Sequence, residues 1–336
     1  MENLISVIVC TYNQERTIAR TLDSILLQQC HIPYEIIVGE DCSTDNTLSI
    51  CQAYAEKYPN IIRLIANKAN KGIIDNYFDC LLACQGKWIA DCAGDDFWTD
   101  PQKLEKEVAI LEAHPEVTLV HTDWLCYDEE KGATFPPYPA DSKHMKPFQN
   151  GNELIEDILT QSYRPVIHLC TSLYRRDVFI QAYQEDINLF RNKEFGCEDM
   201  QIAFIMSRRG RIAYISDKTL NYSVGHATIS NTLNDEKQFC FVKRIANLVY
   251  YISTNYKIKS KRIENYLIQR QFELAMHAFR SSSPALRDEI KTLGQQWHIK
   301  ESLSTQFVIL IMSSSITWRI GLMARRLFVR WKKMRN

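Results

Sequence analysis

The first hundred residues alternate between near-continuous apolar runs and stretches whose apolar positions recur at helical spacing. "ISVIVC" (5–10) is such a run, as in a strand buried on both faces. Polar "TYNQE" follows, and then Ile18, Leu22, Ile25 and Leu26 fall on one helical face, with Asn13 as the expected N-cap. "YEIIVGE" predicts a second strand, "DCSTDNT" a turn, and Leu48, Cys51 and Ala55 a second helix. "IIRLIAN" predicts a third strand, "NKGIIDNYFDCLLAC" a glycine turn and a third helix, and "KWIADC" a fourth strand. Strands and helices alternating in this way need right-handed crossovers, so the expected class is α/β, a mainly parallel sheet with helices on both faces.

Further along, "QKLEKEVAILEAHPE" predicts a helix ended by His114-Pro115, and "VTLVHTDWLCY" a strand. The Pro-rich, polar "KGATFPPYPADSKHMKPF" is expected to be a mobile loop over a site. "VIHLCTSLYRR" predicts a strand, and "FGCEDMQIAFIMSRRG" a helix opened by Glu198 and Asp199. "RIAYIS" and "TLNYSVGH" predict two short strands, and the pattern after about residue 235 is helical. No internal repeat or low-complexity tract is present.

The 336 residues carry 40 Lys plus Arg against 40 Asp plus Glu, so no global basic field invites nucleic acid. A hydrophobic share of 46% excludes disorder. "MENLISVIVC" has no basic leader, and no run reaches the roughly 20 apolar residues of a membrane span. A cytoplasmic protein is therefore expected. The 11 cysteines form no C-x-x-C pair, and several lie in strand-like runs (Cys10, Cys92, Cys170), which reads as reduced, buried thiols.

In sheets of this kind ligands bind beyond the carboxyl ends of the strands. Glu40 and Asp41 follow the second strand and Asp95 and Asp96 the fourth, so both acidic pairs fall on one rim. The first strand is not followed by G-x-G-x-x-G, and G-x-x-x-x-G-K-[ST] is missing, which excludes dinucleotide and P-loop sites. Adjacent carboxylates repel, and the usual partner is a hard divalent cation shared with substrate phosphates; the alternative is a solvated turn that caps a helix. A carboxylate at 40–41 can accept the imide N–H of a uracil-like base, while Ser43, Thr44 or Asp45 can cap the following helix. Glu198 and Asp199 are either helix caps or a general base. His226 is a metal ligand, a phosphate partner or a loop histidine, and His168 reads as a satisfied core residue.

Taken in order, "ISVIVCTYNQERTIARTLDSILLQ", "YEIIVGEDCSTDNT", "NKGIIDNY", "GKWIADCAGDDFWTDPQKLEKEVAILEAHPEV" and "GCEDMQIAFIMSRRG" resemble family 2 glycosyltransferases with the GT-A fold, over roughly residues 4–230. The resemblance implies transfer of a sugar from a nucleotide-diphosphate donor, expected to be UDP, to a saccharide or lipid-linked saccharide hydroxyl. It implies inversion, Mg2+ or Mn2+, and a role in bacterial surface polysaccharide or lipopolysaccharide synthesis. It makes Asp41 the base-recognition carboxylate beside Glu40, where the family usually has Asp. Thr11 and Asn13 would line the nucleotide pocket, and Asn70, Gly72 and Asn76 would support it. Asp95 and Asp96 would serve the metal and the ribose–diphosphate; apart from the resemblance, His226, after the "YSVG" strand, is the further metal-ligand candidate. Asp199, with Glu198 beside it, would be the catalytic base. The motif's first acidic position is Ala93 here, which leaves a catalytically weakened nucleotide-sugar-binding or scaffold protein as the alternative. A nucleotidyltransferase would need a Gly- and Arg-rich loop where "TYNQERT" stands.

The implied division is a GT-A domain over 1–235, with a nucleotide-binding half (about 1–110) and an acceptor half (111–235), then a helical region over 236–336. The end, "QFVILIMSSSITWRIGLMARRLFVRWKKMRN", joins an apolar run to Arg319, Arg325, Arg326, Arg330, Lys332, Lys333 and Arg335 without an acidic residue. Ile320, Met323, Leu327 and Trp331 share a helical face, so this segment is expected either to lie in a membrane interface or to pack on the catalytic domain.

Overall fold

In the computed structural model, residues 2–138, 146–164, 166–225 and 234–335 are described, with side chains for all but Glu2, Arg326 and residues 328–335. Two units are distinguishable: residues 1–193 with 197–226, and residues 194–196 with 227–336.

The first unit begins with β1 (Glu2–Thr11), α1 (Ile18–Leu26), β2 (Tyr34–Glu40), α2 (Thr47–Lys57), β3 (Ile62–Ala66), α3 (Ile73–Ala83) and β4 (Gly86–Asp91). It continues with β5 (Phe97–Trp98), α4 (Lys103–Ala113), β6 (Val117–Asp128), β7 (Ala133–Phe135), β8 (Phe148–Asn150) and α5 (Gly151–Leu159). Then come β9 (Ser172–Arg175), α6 (Arg176–Glu185), α7 (Ile187–Arg191), α8 (Asp199–Arg209) and β10 (Arg211–Val224).

The strands lie in the order β3-β2-β1-β4-β9-β6-β10-β5, with β7 beside β6 and β8 beside β10. The ladders among β3, β2, β1 and β4 are parallel, as their apolar runs require. Ile5, Val7 and Val9 pack with α1 residues Ile18, Leu22 and Ile25 in one core. Ile8, Ile37 and Ile89 are equally buried, so both sheet faces are covered. Each such side chain contributes about 1.5–3 kcal/mol on burial. The register sets Thr11 opposite Glu40 and Ile8 opposite Asp91, which brings three strand ends to one rim.

In the second half the sheet is mixed. Four-residue β9 runs antiparallel between β4 and β6, while β6 and β10 are parallel. "VIHLCTSLYRR" becomes a strand only from Ser172, because the Thr171 and Ser172 hydroxyls donate to the His168 carbonyl (2.7 and 2.9 Å) and close a turn first. "RIAYIS" and "TLNYSVG" form one strand, with register shifts against β6 between Ile215 and Leu220 that absorb the polar Asp217-Lys218. Asn13 is not an N-cap: its φ is 54°, and α1 starts only after Thr17. Part of the Pro-rich segment, 139–145, lies outside the described residues.

The second unit holds α9 (Asp235–Asn255), α10 (Lys261–Ser281), α11 (Pro284–Gln296), α12 (Leu303–Met312) and α13 (Ser315–Arg335). The Asn234 side chain accepts the N–H groups of Glu236 and Lys237 and starts α9, and Ser260 does the same for α10. Phe239, Ile245, Val249 and Ile252 of α9 and Ile263, Leu267 and Leu274 of α10 are buried in this unit. No single described helix is long and apolar enough to cross a membrane.

Candidate active site

Asp41 is 3% exposed, and its carboxylate organises the loop after β3. Its Oδ1 accepts from Asn67 Nδ2 and the Lys71 N–H, and its Oδ2 from the Gly72 N–H, all at 2.9 Å. Gly72 holds φ at +81°, where a side chain would be strained. Asn70 Nδ2 donates to the Asp41 carbonyl (3.2 Å), and Asn76 donates to the Gly39 carbonyl (2.9 Å) while accepting from Asn67 (2.8 Å). The fold thus assembles Asp41, Asn70, Gly72 and Asn76 and adds Asn67. Its position just after a strand, on the same rim, was the available signal.

Glu40 plays a different part from Asp41. It is 0% exposed, its Oε1 accepts the Ser43 N–H at 2.7 Å and its Oε2 is buried without a partner, so it shapes the loop from beneath. Exposed Asn13 links two loops: its N–H donates to Ser43 Oγ (2.9 Å) and its Oδ1 accepts the Thr44 N–H (2.8 Å). Thr11 is buried under Gly94, where an added Cβ would lie 2.8 Å from Thr11 Oγ1. Glycine therefore lets the acidic turn settle on the end of β1, with Thr17 Oγ1 donating to the Gly94 carbonyl at 2.9 Å.

That turn carries Asp95, half-buried, and Asp96, buried. Ser223 near the end of β10 holds both: its N–H donates to Asp96 Oδ1 (2.9 Å) and its hydroxyl to the Asp95 carbonyl (2.6 Å). From α1, Arg20 reaches the Asp95 carbonyl (3.2 Å) and Thr21 the Asp96 carbonyl (2.6 Å). Arg20 is itself paired with Glu129 (2.5 Å) and lies 4.1 Å over the Phe97 ring. Sequence reasoning missed Arg20 and Ser223, whose residue types carry no signal of their own. Burial, then the neighbouring Asp95, pushes the Asp96 carboxyl well above the usual range. Asp96 Oδ2 is buried without a partner, and a hard dication would satisfy it: two carboxylates are the donor set Mg2+ or Mn2+ takes. Beneath the turn, buried Lys103 pairs with buried Glu107 at 2.7 Å, and its charge bears on Asp91.

Glu198 stands at the N-cap position of α8 but makes no capping hydrogen bond with its side chain, which speaks against a purely capping role. Burial, then Asp199, pushes its carboxyl up to about 8. Asp199 Oδ1 accepts the Leu169 N–H at 2.9 Å, and its charge is felt at Asp91 and Asp96. Asp91, the last residue of β4, was not foreseen. Its carboxyl is raised well above the usual range, first by burial, beside Tyr77, whose hydroxyl lies 2.8 Å from that of Tyr174. His168 is not a satisfied core residue. Its ring lies 5.0 Å from Tyr222 and 5.8 Å from Trp124, its Nδ1 has no hydrogen-bond partner, and one ring nitrogen lies within 4.8 Å of an Asp96 carboxylate oxygen and of Cys170 Sγ. His226 lies outside the described residues.

A groove of about 640 Å³ bounded by Glu116, Lys146, Asn150, Arg208 and Arg211 lies at the amino ends of β6 and β10, away from this rim.

The sequence profile of "Glycosyl transferase family 2" matches residues 6–182. An uncharacterized protein of Mycobacterium tuberculosis (strain H37Rv) is 41% identical over 134 residues, which span 39% of this chain and only 39% of that relative. An uncharacterized glycosyltransferase of Haemophilus influenzae is 31% identical over 259 residues, 75% of this chain and 76% of that one. Among solved structures, S. aureus TarS 1–349 in complex with UDP-GlcNAc superposes with a TM-score of 0.56 at 20% identity, covering 87% of this chain and 78% of TarS; at that identity the likeness speaks to the fold.

Proposed function

The chain belongs to glycosyl transferase family 2, and we propose that it moves a sugar from a UDP-type donor to a hydroxyl acceptor with inversion, in bacterial surface polysaccharide or lipopolysaccharide assembly. One observation carries this reading. The Asp41 loop, the Asp95–Asp96 turn and the Glu198–Asp199 pair sit at the carboxyl ends of one sheet, where a donor and an acceptor can be held side by side.

In this reading Asp41 and the loop it organises receive the base, with Thr11 and Asn13 alongside. Asp95, backed by Asp96, would hold Mg2+ or Mn2+, which when bound offsets the charge of the departing diphosphate. The acceptor oxygen bonds to the anomeric carbon as the carbon–diphosphate bond breaks, and its proton passes to Asp199. Glu198 holds a proton below about pH 8, which avoids a second bare charge beside Asp199. The Ser223 and Arg20 contacts keep the Asp95 turn in place before the donor arrives, and preorganisation of this kind lowers the barrier.

The partner surface is proposed from the second unit. On α12, Leu303, Phe307 and Leu310 are 62–84% exposed, and on α13, Ile316, Ile320, Met323 and Leu327 are 61–69% exposed. Val308, Ile309, Met312 and Trp318 are buried on the other sides of these helices. An outward apolar stripe with three basic residues among it and four after it suits the interface of an anionic bilayer, where a lipid-linked acceptor would be presented. The enzyme would then be a cytoplasmic, peripheral one.

The test is a panel of nucleotide sugars assayed for slow hydrolysis with Mn2+, in the native chain and in Asp199→Asn. A UDP-sugar should be turned over, and the variant should lose on the order of 100- to 10,000-fold in turnover with UDP affinity kept. Binding without turnover of any donor would favour the scaffold alternative that Ala93 raises.

A further inference from the structure

We propose that Cys30, His31 and Glu105 form a surface zinc site, with Glu112 as the outer partner of the histidine and a fourth position open to water. It lies between the α1–β2 link and α4, apart from the candidate active site. One donor atom from each of Cys30, His31 and Glu105 lies within 4.8 Å of the others. Sulfur, imidazole nitrogen and carboxylate oxygen are the set zinc takes, and three protein ligands with an open position are its non-structural pattern.

An ion pair between His31 and Glu105 would account for two of these residues, and two further features exceed it. The first is the thiol. A histidine–carboxylate pair does not require a thiol, yet Cys30 Sγ lies within 4.8 Å of the His31 and Glu105 donor atoms. The second is the arrangement around the imidazole. Its Nδ1 lies 2.8 Å from Glu105, on the side of the donor cluster, and its Nε2 lies 3.3 Å from Glu112. A histidine that ligates through one nitrogen typically gives its other N–H to a carboxylate, which fixes the tautomer and strengthens the ligand. Glu105 and Glu112 are seven residues apart on α4, so two helical turns present both to the same ring.

The scaffold is already set. The Gln29 N–H donates to the Pro101 carbonyl (2.8 Å), and Gln28 Oε1 accepts the Leu104 N–H (3.1 Å), so the link and α4 are joined without metal. Binding displaces the Cys30 thiol proton and, when the ring is charged, the His31 Nδ1 proton to solvent; no redox change is involved. The ion would tie the first crossover to the helix that follows the Asp95–Asp96 turn and β5.

The test uses the reduced full chain and Co2+ as the probe, with Zn2+ as competitor. The expected result is a thiolate-to-cobalt charge-transfer band that Zn2+ abolishes. Cys30→Ser should remove it, while Cys170→Ser, at a buried thiol, and Cys240→Ser, at an exposed one, should leave it. Glu112→Gln should keep the band and weaken Zn2+ by about 10- to 100-fold. No band in the native chain, or a band that survives Cys30→Ser, would overturn the site, and unchanged affinity in Glu112→Gln would overturn the outer role. None of these readings depends on glycosyl transfer, so they stand or fall apart from the proposed enzyme activity.

Discussion

Replacing Asp41 by Asn keeps the shape of the side chain and changes one oxygen into a donor. In the native loop, Asn67, Lys71 and Gly72 each give a hydrogen bond to the ionised carboxylate at 2.9 Å. Bonds to a charged acceptor contribute about 1.5–3 kcal/mol each, and neutral ones about 1 kcal/mol. With the Asn oxygen kept toward Asn67 and Lys71, the Gly72 N–H faces an amide NH2 and loses its acceptor, while the other two bonds become neutral. Taking the low end, the anchorage falls from roughly 4.5 to about 2 kcal/mol, a loss of about 2.5 kcal/mol. At about 1.4 kcal/mol per factor of ten, the 67–72 loop opens roughly 60-fold more often. Amide hydrogen exchange should show that acceleration at Lys71 and Gly72, while α10 amides keep their protection. UDP affinity should weaken by about 1–3 kcal/mol in calorimetry. Exchange at Lys71 and Gly72 within about threefold of the native rate would refute the reasoning, because Asp41 would then not be what holds the loop.

Asp95→Asn should lose Mn2+-stimulated turnover with its circular dichroism intact; native activity at low Mn2+ would remove Asp95 from the metal site. Turnover should rise with pH toward about 8, since loss of the Glu198 proton adds negative charge beside the base, and Glu198→Gln should flatten that rise. A flat native profile between pH 6 and 8 would count against the pair. Lys103→Met should destabilise the chain by about 3–5 kcal/mol in urea unfolding, because it strands a buried carboxylate, and adding Glu107→Leu should recover most of the loss. If the double variant is no better than the single one, the pair is not the cause. The full chain should bind anionic vesicles in a salt-sensitive way, and a chain ending at Glu301 should not, with donor hydrolysis kept; equal binding by both would rule out the α12–α13 surface.

Where burial alone dictates local structure, the residues announce it. "YEIIVGE" matches β2 from end to end because both its faces are covered and nothing but a strand satisfies its backbone. The acidic pairs were legible for a related reason: polar residues directly after apolar strands must lie on the rim. What was not legible depends on contacts between distant segments. Asp91 sits inside a strand pattern, and its neighbours Tyr77 and Tyr174 come from α3 and β9. Asn13 looks like a cap, but its partners, Ser43 and Thr44, lie thirty or more residues away, and they draw its backbone to positive φ. The single strand β10 was split in two because Asp217-Lys218 is polar enough to mimic a turn, when it marks a register shift.

Ser223 has a thermodynamic consequence. Its two bonds run from β10, in the second half of the sheet, to the turn that ends β4 in the first. A ligand that displaces the Asp95 turn therefore does work on β10, and a ligand that displaces β10 does work on the turn. If, as proposed, donor and acceptor occupy the two halves, their affinities are linked: whatever factor the donor applies to the acceptor's affinity, the acceptor applies to the donor's. Without the Ser223 hydroxyl, one of the two bonds is lost, and that mutual factor would move toward one.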